Sequence, residues 1–246
     1  MNEVKTWWED NAKQFQENRN IPIEVNYGVG GSNEEDHNLI GDVKGKDILE
    51  IGCGGAQCGI AFAKQGANVT GIDISEEQLK IAKKLAEKNK VKIELLQGDI
   101  IDLKQIESNS QDIVFSSWAF MYVTSLPSCF KEAYRVLRNN GVFVFSTDHP
   151  FWRRIGKESL KIKKSYFENG SYSEPYMKGT FIAHDHEVSE YVNWLVEAGF
   201  IIEKMIEPNP MDRILIEKDI WMKEYDDNKL EAMKWLPRTI IFKARK

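Results

Sequence analysis

The chain has 246 residues, 42% of them hydrophobic, and a net charge of −5 with acidic and basic residues interspersed. That is apolar material for one sizeable core, and the charge balance argues against a dedicated nucleic-acid surface, whose footprint should be basic. Cys53, Cys58 and Cys129 are too few and too oddly spaced for a disulfide framework or a structural zinc site. The N-terminus, MNEVKTWWEDNAKQF, lacks the apolar segment of a signal peptide, and no run reaches membrane-spanning length. The sequence therefore reads as a soluble, cytoplasmic protein.

Residues 1–45 begin with an aromatic amphipathic helix, Trp8, Ala12 and Phe15 on one side, followed by the loop NYGVGGSNEEDH. Together they are expected to form a lid. From Lys46 onward short apolar runs alternate with helical patterns. KDILEIG is a strand, QCGIAFAKQG a helix closed by Gly66, and ANVTGIDI a second strand. SEEQLKIAKKLAEKN follows as a helix with Ser75 as N-cap and Leu79, Ala82, Leu85 and Ala86 as its apolar stripe. VKIELLQGD and QDIVFSSW are the third and fourth strands. LPSCFKEAYRVLRNNG is a helix stopped by Gly141, and GVFVFSTDH a fifth strand. EVSEYVNWLVEAGF is again helical, and FIIEKMIEP and RTIIFKA end the chain as strands. Strands alternating with helices predict a Rossmann-like, doubly wound α/β sheet, mostly parallel and covered on both faces.

Two segments break the alternation, residues 150–185 and 208–236, and both are expected to form helical or irregular cap insertions. The expected organisation is one domain over 1–246, with a lid (1–45), a core (46–149) and the two caps. In an open α/β sheet the ligand crevice lies beyond the carboxyl ends of the strands, where such caps would close it.

The glycine loop after the first strand, Glu50-Ile51-Gly52-Cys53-Gly54, suits two ligand classes. Dinucleotide sites want G-x-G-x-x-G, but the third glycine position is Gln57 and Gly59 comes two residues too late. That speaks against a nicotinamide-dependent reductase. The acidic-x-Gly-x-Gly pattern resembles the class I S-adenosylmethionine-dependent methyltransferases, in particular their small-molecule branch, the type 11 family. The resemblance covers residues 40–148 strongly and continues through the final strands, and its specificity lies in the order and spacing of short motifs.

The resemblance implies S-adenosylmethionine as cofactor, S-adenosylhomocysteine as product and a small-molecule methyl acceptor. It places Gly52, Cys53 and Gly54 against the amino-carboxypropyl arm, with Glu50 holding the loop. Asp73, ending the second strand, would accept both ribose hydroxyls, and Ile74 would pack on the adenine. Asp99 would receive the adenine amine, with Ile100 beside it. Ser116 and Ser117 would line the methionine end, which Tyr27 would touch from the lid. Trp118 and Tyr122 are assigned to the acceptor pocket. SSWA lacks the Asn/Asp-Pro-Pro-aromatic motif of amino-nitrogen methylation, and the EAGF helix end and the last strand led by Pro237 also look like this family. That strand would lie antiparallel beside the sixth.

For chemistry, methyl transfer is an in-line displacement that needs alignment first and a base only if the acceptor must lose a proton. His149, after the fifth strand and held extended by Pro150, is the candidate general base, weighed against a merely structural histidine. Asp148 should face the opposite side. His184 and His186 are read as possible acceptor-pocket residues and not as a metal pair, for want of a third ligand. The stretch WRRIGKESLKIKKSYFENG carries six basic residues against one acid before Ser165 and reads more readily as a solvated face than as an anion site. Trp7 and Trp8 read as packing residues. Other readings are a binding protein that holds the cofactor without transfer, or an RNA or protein methyltransferase.

Overall fold

The computed structural model describes residues 2–156, 161–209 and 232–246. The first strand, β1 (Asp47–Ile51), sits centrally and pairs in parallel with β2 (Asn68–Asp73) on one side and β4 (Gln111–Ser117) on the other. With β3 (Glu94–Gln97), β5 (Leu137–Asp148), β8 (Ile201–Ile206) and β9 (Thr239–Arg245), the sheet has seven strands in the order β3-β2-β1-β4-β5-β9-β8. The last strand, β9, is antiparallel to both its neighbours, β5 and β8, as the family resemblance implied.

The central strands are apolar on both faces, as a doubly covered sheet requires. Leu49, Ile51, Val114, Phe143 and Phe145 pack one way, against Phe130 of α5 (Leu126–Val136) and Leu195 of α6 (Val188–Ala198). Ile48, Ile113, Phe115 and Val144 point the other way, against Phe62 of α3 (Gln57–Lys64). The period of two along each strand is what separates the two cores. Next to α3, α4 (Glu76–Lys88) buries Leu79, Ala82 and Ala86, and its N-cap Ser75 accepts from the Gln78 amide at 3.2 Å. At the end of α6, Gly199 takes the left-handed conformation, φ 103°.

Two features differ from the sequence reading. Helix α5 ends at Val136, not at Gly141. Leu137 is already extended, and β5 pairs Gln111 with Leu137 and then Ile113 with Val142, so residues 138–141 bulge out of register with Asn140 at φ 65°. The helical pattern of VLRNNG gives way because strand pairing with β4 claims its last residues. In addition, the first insertion is neither helical nor irregular throughout. It carries a short turn, Trp152–Arg154, and a hairpin of β6 (Gly170–Pro175) with β7 (Thr180–Asp185). Most of the second insertion lies outside the described residues.

The N-terminal helix α1 (Asn2–Arg19) lies across the sheet edge and contacts α4 and β7. Glu9 on α1 accepts from the first two amides of α4, Glu76 at 2.9 Å and Glu77 at 3.0 Å. A carboxylate at a helix N-terminus contributes about 0.3–1 kcal/mol, so Glu9 latches the lid to the core. The loop that follows contains a single-turn helix, α2 (Glu34–His37). Trp7 and Trp8 meet edge to face and continue through Tyr122 and Phe181, tying α1, the turn after β4 and the hairpin into one aromatic cluster.

Candidate functional site

At the carboxyl ends of the parallel strands lies a cavity of about 810 Å³, roofed by α1 and the hairpin. Ligand sites run to roughly 300–1,000 Å³, so this one is large. Its floor is made by residues that leave four successive strands: Glu50, Gly52, Cys53 and Gly54; Asp73 and Ile74; Asp99 and Ile100; Ser117 and Trp118.

The glycine loop turns because Gly52 adopts φ 67°, and a Cβ there would come within 2.4 Å of the Ala119 Cβ. Only glycine fits this backbone, which leaves a bare main-chain edge along the cavity. Glu50 holds the far side of the loop by accepting from the Gly59 amide of α3 at 2.8 Å. Burial pushes its carboxyl up to about 8, with the charge of Asp73 adding to the effect and the Gly59 amide opposing it.

Asp73 accepts from Gly54 N at 2.7 Å through Oδ2 and from Ser75 N at 2.9 Å through Oδ1. An ionised carboxylate has about four acceptor sites, so each oxygen retains capacity for another donor from the cavity. Burial raises its pKa to about 6, against the lowering pull of those two amides. Asp99 is positioned by Ile101 N, which donates to Oδ1 at 3.1 Å. A bare glycine edge, a carboxylate with spare acceptor capacity and a second carboxylate beyond the neighbouring strand fit an amino-acid arm, a ribose diol and an adenine amine.

The opposite half of the cavity is built differently. Trp118 is held at φ 57°, an uncommon conformation for a bulky residue. Its Nε1 donates to Thr239 Oγ1 at 3.0 Å and its ring lies under the Arg238 guanidinium at 4.5 Å. Gly28 lets this ring sit directly on the N-terminal loop, since a Cβ would be 2.1 Å from Trp118 Cδ1. Tyr122 lines the wall beside Trp8, and burial pushes its phenol up so that it stays neutral. Asp148 sits between Arg153 (2.6 Å) and Arg238, and Asp185 between Arg154 (2.8 Å) and Lys164 (3.1 Å).

Several expected site residues lie elsewhere. Tyr27 is fully buried in the core behind the cavity. Its hydroxyl bonds to Glu34 and its ring packs on Phe115, so Gly28 and Val29 face the cavity in its place. Ser116 points into the sheet and donates to the Ile51 carbonyl at 2.9 Å, while its neighbour Ser117 faces the cavity, as the strand period requires. His149 also turns away. Its Nδ1 accepts from Phe151 N at 3.1 Å, which leaves Nε2–H to donate to Glu207 Oε1 at 2.8 Å. Burial lowers its pKa, with Glu207 pulling the other way. Both nitrogens are thus engaged away from the cavity, and Asp148 occupies the position expected for the histidine.

His184 and His186 share a separate, water-sized gap with His149 and Tyr191. The His186 pKa is lowered to about 4 by burial and then by His184. They stand just before α6, whose N-cap is Glu187. No group of three or more metal-ligating side chains occurs among the described residues. Nor is any described helix long and apolar enough to cross a membrane.

The residues that sequence reasoning missed are those whose role depends on distant partners. Arg153 and Arg154 belong to the basic stretch read as a solvated face, yet Arg154 is fully buried and Arg153 largely so. Trp8 and Phe15 line the cavity as well as packing the lid. A guanidinium next to Trp152 in an apolar context was the one available signal for Arg153.

Comparison with known proteins identifies relatives of the chain. Residues 49–145 match the family described as a methyltransferase domain. The chain is 30% identical to the uncharacterized methyltransferase YbaJ of Bacillus subtilis over 65% of this chain and 68% of that protein. It is 31% identical to a ubiquinone biosynthesis O-methyltransferase of Actinobacillus pleuropneumoniae, over 58% of this chain and 59% of that one. Among solved structures, a Listeria monocytogenes protein provisionally assigned as an S-adenosylmethionine dependent methyltransferase superposes with a TM-score of 0.71 at 25% identity, covering 87% of this chain and 95% of its own. The chain belongs to the class I S-adenosylmethionine-dependent methyltransferases, within the family of that methyltransferase domain. S-adenosylmethionine is accordingly its methyl donor.

Proposed function

We propose that the protein methylates a small organic molecule, received in the half of the cavity between Trp118, Tyr122 and the hairpin. The observation that carries this reading is the single cavity itself. The glycine loop, Asp73 and Asp99 line one end and the cap residues the other, under a roof formed by α1 and the hairpin. A chamber enclosed in this way favours a small acceptor, and the similarity to a ubiquinone biosynthesis O-methyltransferase supports that reading.

When bound, S-adenosylmethionine supplies a methyl group on a cationic sulfur, already electrophilic. The chain's residues then have to bind, align and exclude water. Gly52, Cys53 and Gly54 offer main chain to the amino-acid arm, with Glu50 fixing the loop from behind. Asp73 takes the ribose hydroxyls, Ile74 and Ile100 flank the adenine, and Asp99 accepts from its amine. Ser117 closes the methionine end. Trp118 and Tyr122 hold the acceptor against the methyl. Such positioning can supply about 7–11 kcal/mol of the barrier lowering. With no histidine facing the chamber among the described residues, alignment carries the catalysis in this reading.

The experiment is label transfer from methyl-tritiated S-adenosylmethionine into a cell extract separated into small-molecule, protein and RNA fractions. Label in the small-molecule fraction is the expected result. Label confined to protein or RNA contradicts the proposal.

A further inference from the structure

Resting on that reading of the cap half as the acceptor chamber, we infer that the acceptor is an acid, a carboxylate on an apolar or aromatic body, received by Arg153 beside Tyr172. The Arg153 side chain is only 17% exposed, and its Nε holds Asp148 at 2.6 Å. Among the described residues its Nη2 has only the Met121 sulfur, at 3.4 Å, and a thioether is a weak acceptor. The guanidinium stacks over the Tyr172 ring at 4.4 Å and lines the cavity. Its planar fork of donors matches the two oxygens of a carboxylate.

Tyr172 adds a second, independent sign. The residue lines the cavity, and its buried hydroxyl has no hydrogen-bond partner among the described residues. Buried hydroxyls are rarely left so, and an incoming oxyanion beside Arg153 would satisfy it.

The surrounding charge points the same way. Asp148 serves Arg153 and Arg238, and Asp185 serves Arg154, Lys164 and, at 3.9 Å, Arg153; with Glu174 these are three carboxylates against four cations along this wall among the described residues. Burial lowers the Arg153 pKa, with Asp185 and Glu174 among the groups pulling the other way. Facing this wall are the rings of Trp8, Tyr122 and Phe181, packed edge to face. The chamber thus offers a cation on one side and an apolar aromatic surface on the other.

The test is calorimetry on protein saturated with S-adenosylhomocysteine, using acid and amide pairs: 4-hydroxybenzoate with 4-hydroxybenzamide, indole-3-acetate with indole-3-acetamide, and hexanoate with hexanamide. At least one acid should bind tenfold or more tightly than its amide, a difference of about 1.4 kcal/mol. Arg153→Met should erase that preference and Arg153→Lys keep part of it. Tyr172→Phe should reduce it severalfold with the cation intact, and Lys161→Gln, an exposed lysine of the same stretch, should leave it unchanged. The inference is overturned if no acid is preferred in the wild type, whether both partners bind alike or neither binds, or if Arg153→Met retains the preference. Failure of S-adenosylhomocysteine itself to bind is a different result. It removes the methyl-donor assignment and takes this inference with it.

Discussion

The two ends of one cavity are made by different means. The floor is built from main chain and short side chains at consecutive strand ends, each residue positioned by partners within about one βα unit: Glu50 by Gly59, Asp73 by Gly54 and Ser75, Asp99 by Ile101. The cap half draws Trp8 from α1, Trp118 and Tyr122 from the turn after β4, Arg153 from the first insertion, Tyr172 from the hairpin and Arg238 from the approach to β9. A fold that keeps its floor local and its cap composite can hold one donor while the acceptor changes through insertions.

If the floor alone binds the donor, its residues should dominate donor affinity. The largest effect is expected for Asp73→Ala. Loss of charge-assisted hydrogen bonds at about 1.5–3 kcal/mol each should weaken S-adenosylhomocysteine binding by on the order of 100-fold, read by calorimetry. Gly52→Ala comes next. A left-handed non-glycine residue with its Cβ on Ala119 should lower stability by roughly 1–3 kcal/mol, measured by urea denaturation, and should also displace the loop the donor needs.

The third expectation concerns pH. On the proposed reading Asp73 must be ionised to accept the ribose hydroxyls, and burial raises its pKa in the free protein to about 6. Affinity should therefore be flat above that value and fall about tenfold per pH unit below it. In Asp73→Asn the fall should disappear, leaving a weak, flat profile. The smallest effect belongs to His149→Gln. Cutting its bond to Glu207 should change stability by about 1 kcal/mol and leave the methyl-transfer rate alone. A large loss of rate with binding intact would return His149 to the chamber.

This contrast also explains what the sequence made legible. Gly52, Gly54, Asp73 and Asp99 could be placed because each lies at a fixed offset from a strand whose apolar run announces it. Ser116 and Ser117 were correctly brought to the end of β4, but only the strand period decides which of them faces inward. His149 was read from its position after β5, and its direction is set by Phe151 and Glu207, the latter 58 residues away. Tyr27 looked like a loop aromatic, and only the tertiary position of Glu34 and Phe115 shows it to be core. The basic stretch after Trp152 read as solvated because burial of Arg153 and Arg154 depends on Asp148 and Asp185, which no local pattern connects to them. The hairpin of the first insertion was missed for the same reason: it exists by packing Phe181 on Trp7 and Tyr122.

The division of the cavity is tested most directly by titrating S-adenosylhomocysteine into wild type, Asp73→Ala and Arg153→Met side by side. The account predicts that binding is lost in Asp73→Ala and unchanged in Arg153→Met. Equal weakening in the two variants, or retention in Asp73→Ala, would contradict the assignment of the floor to the donor and the cap to the acceptor.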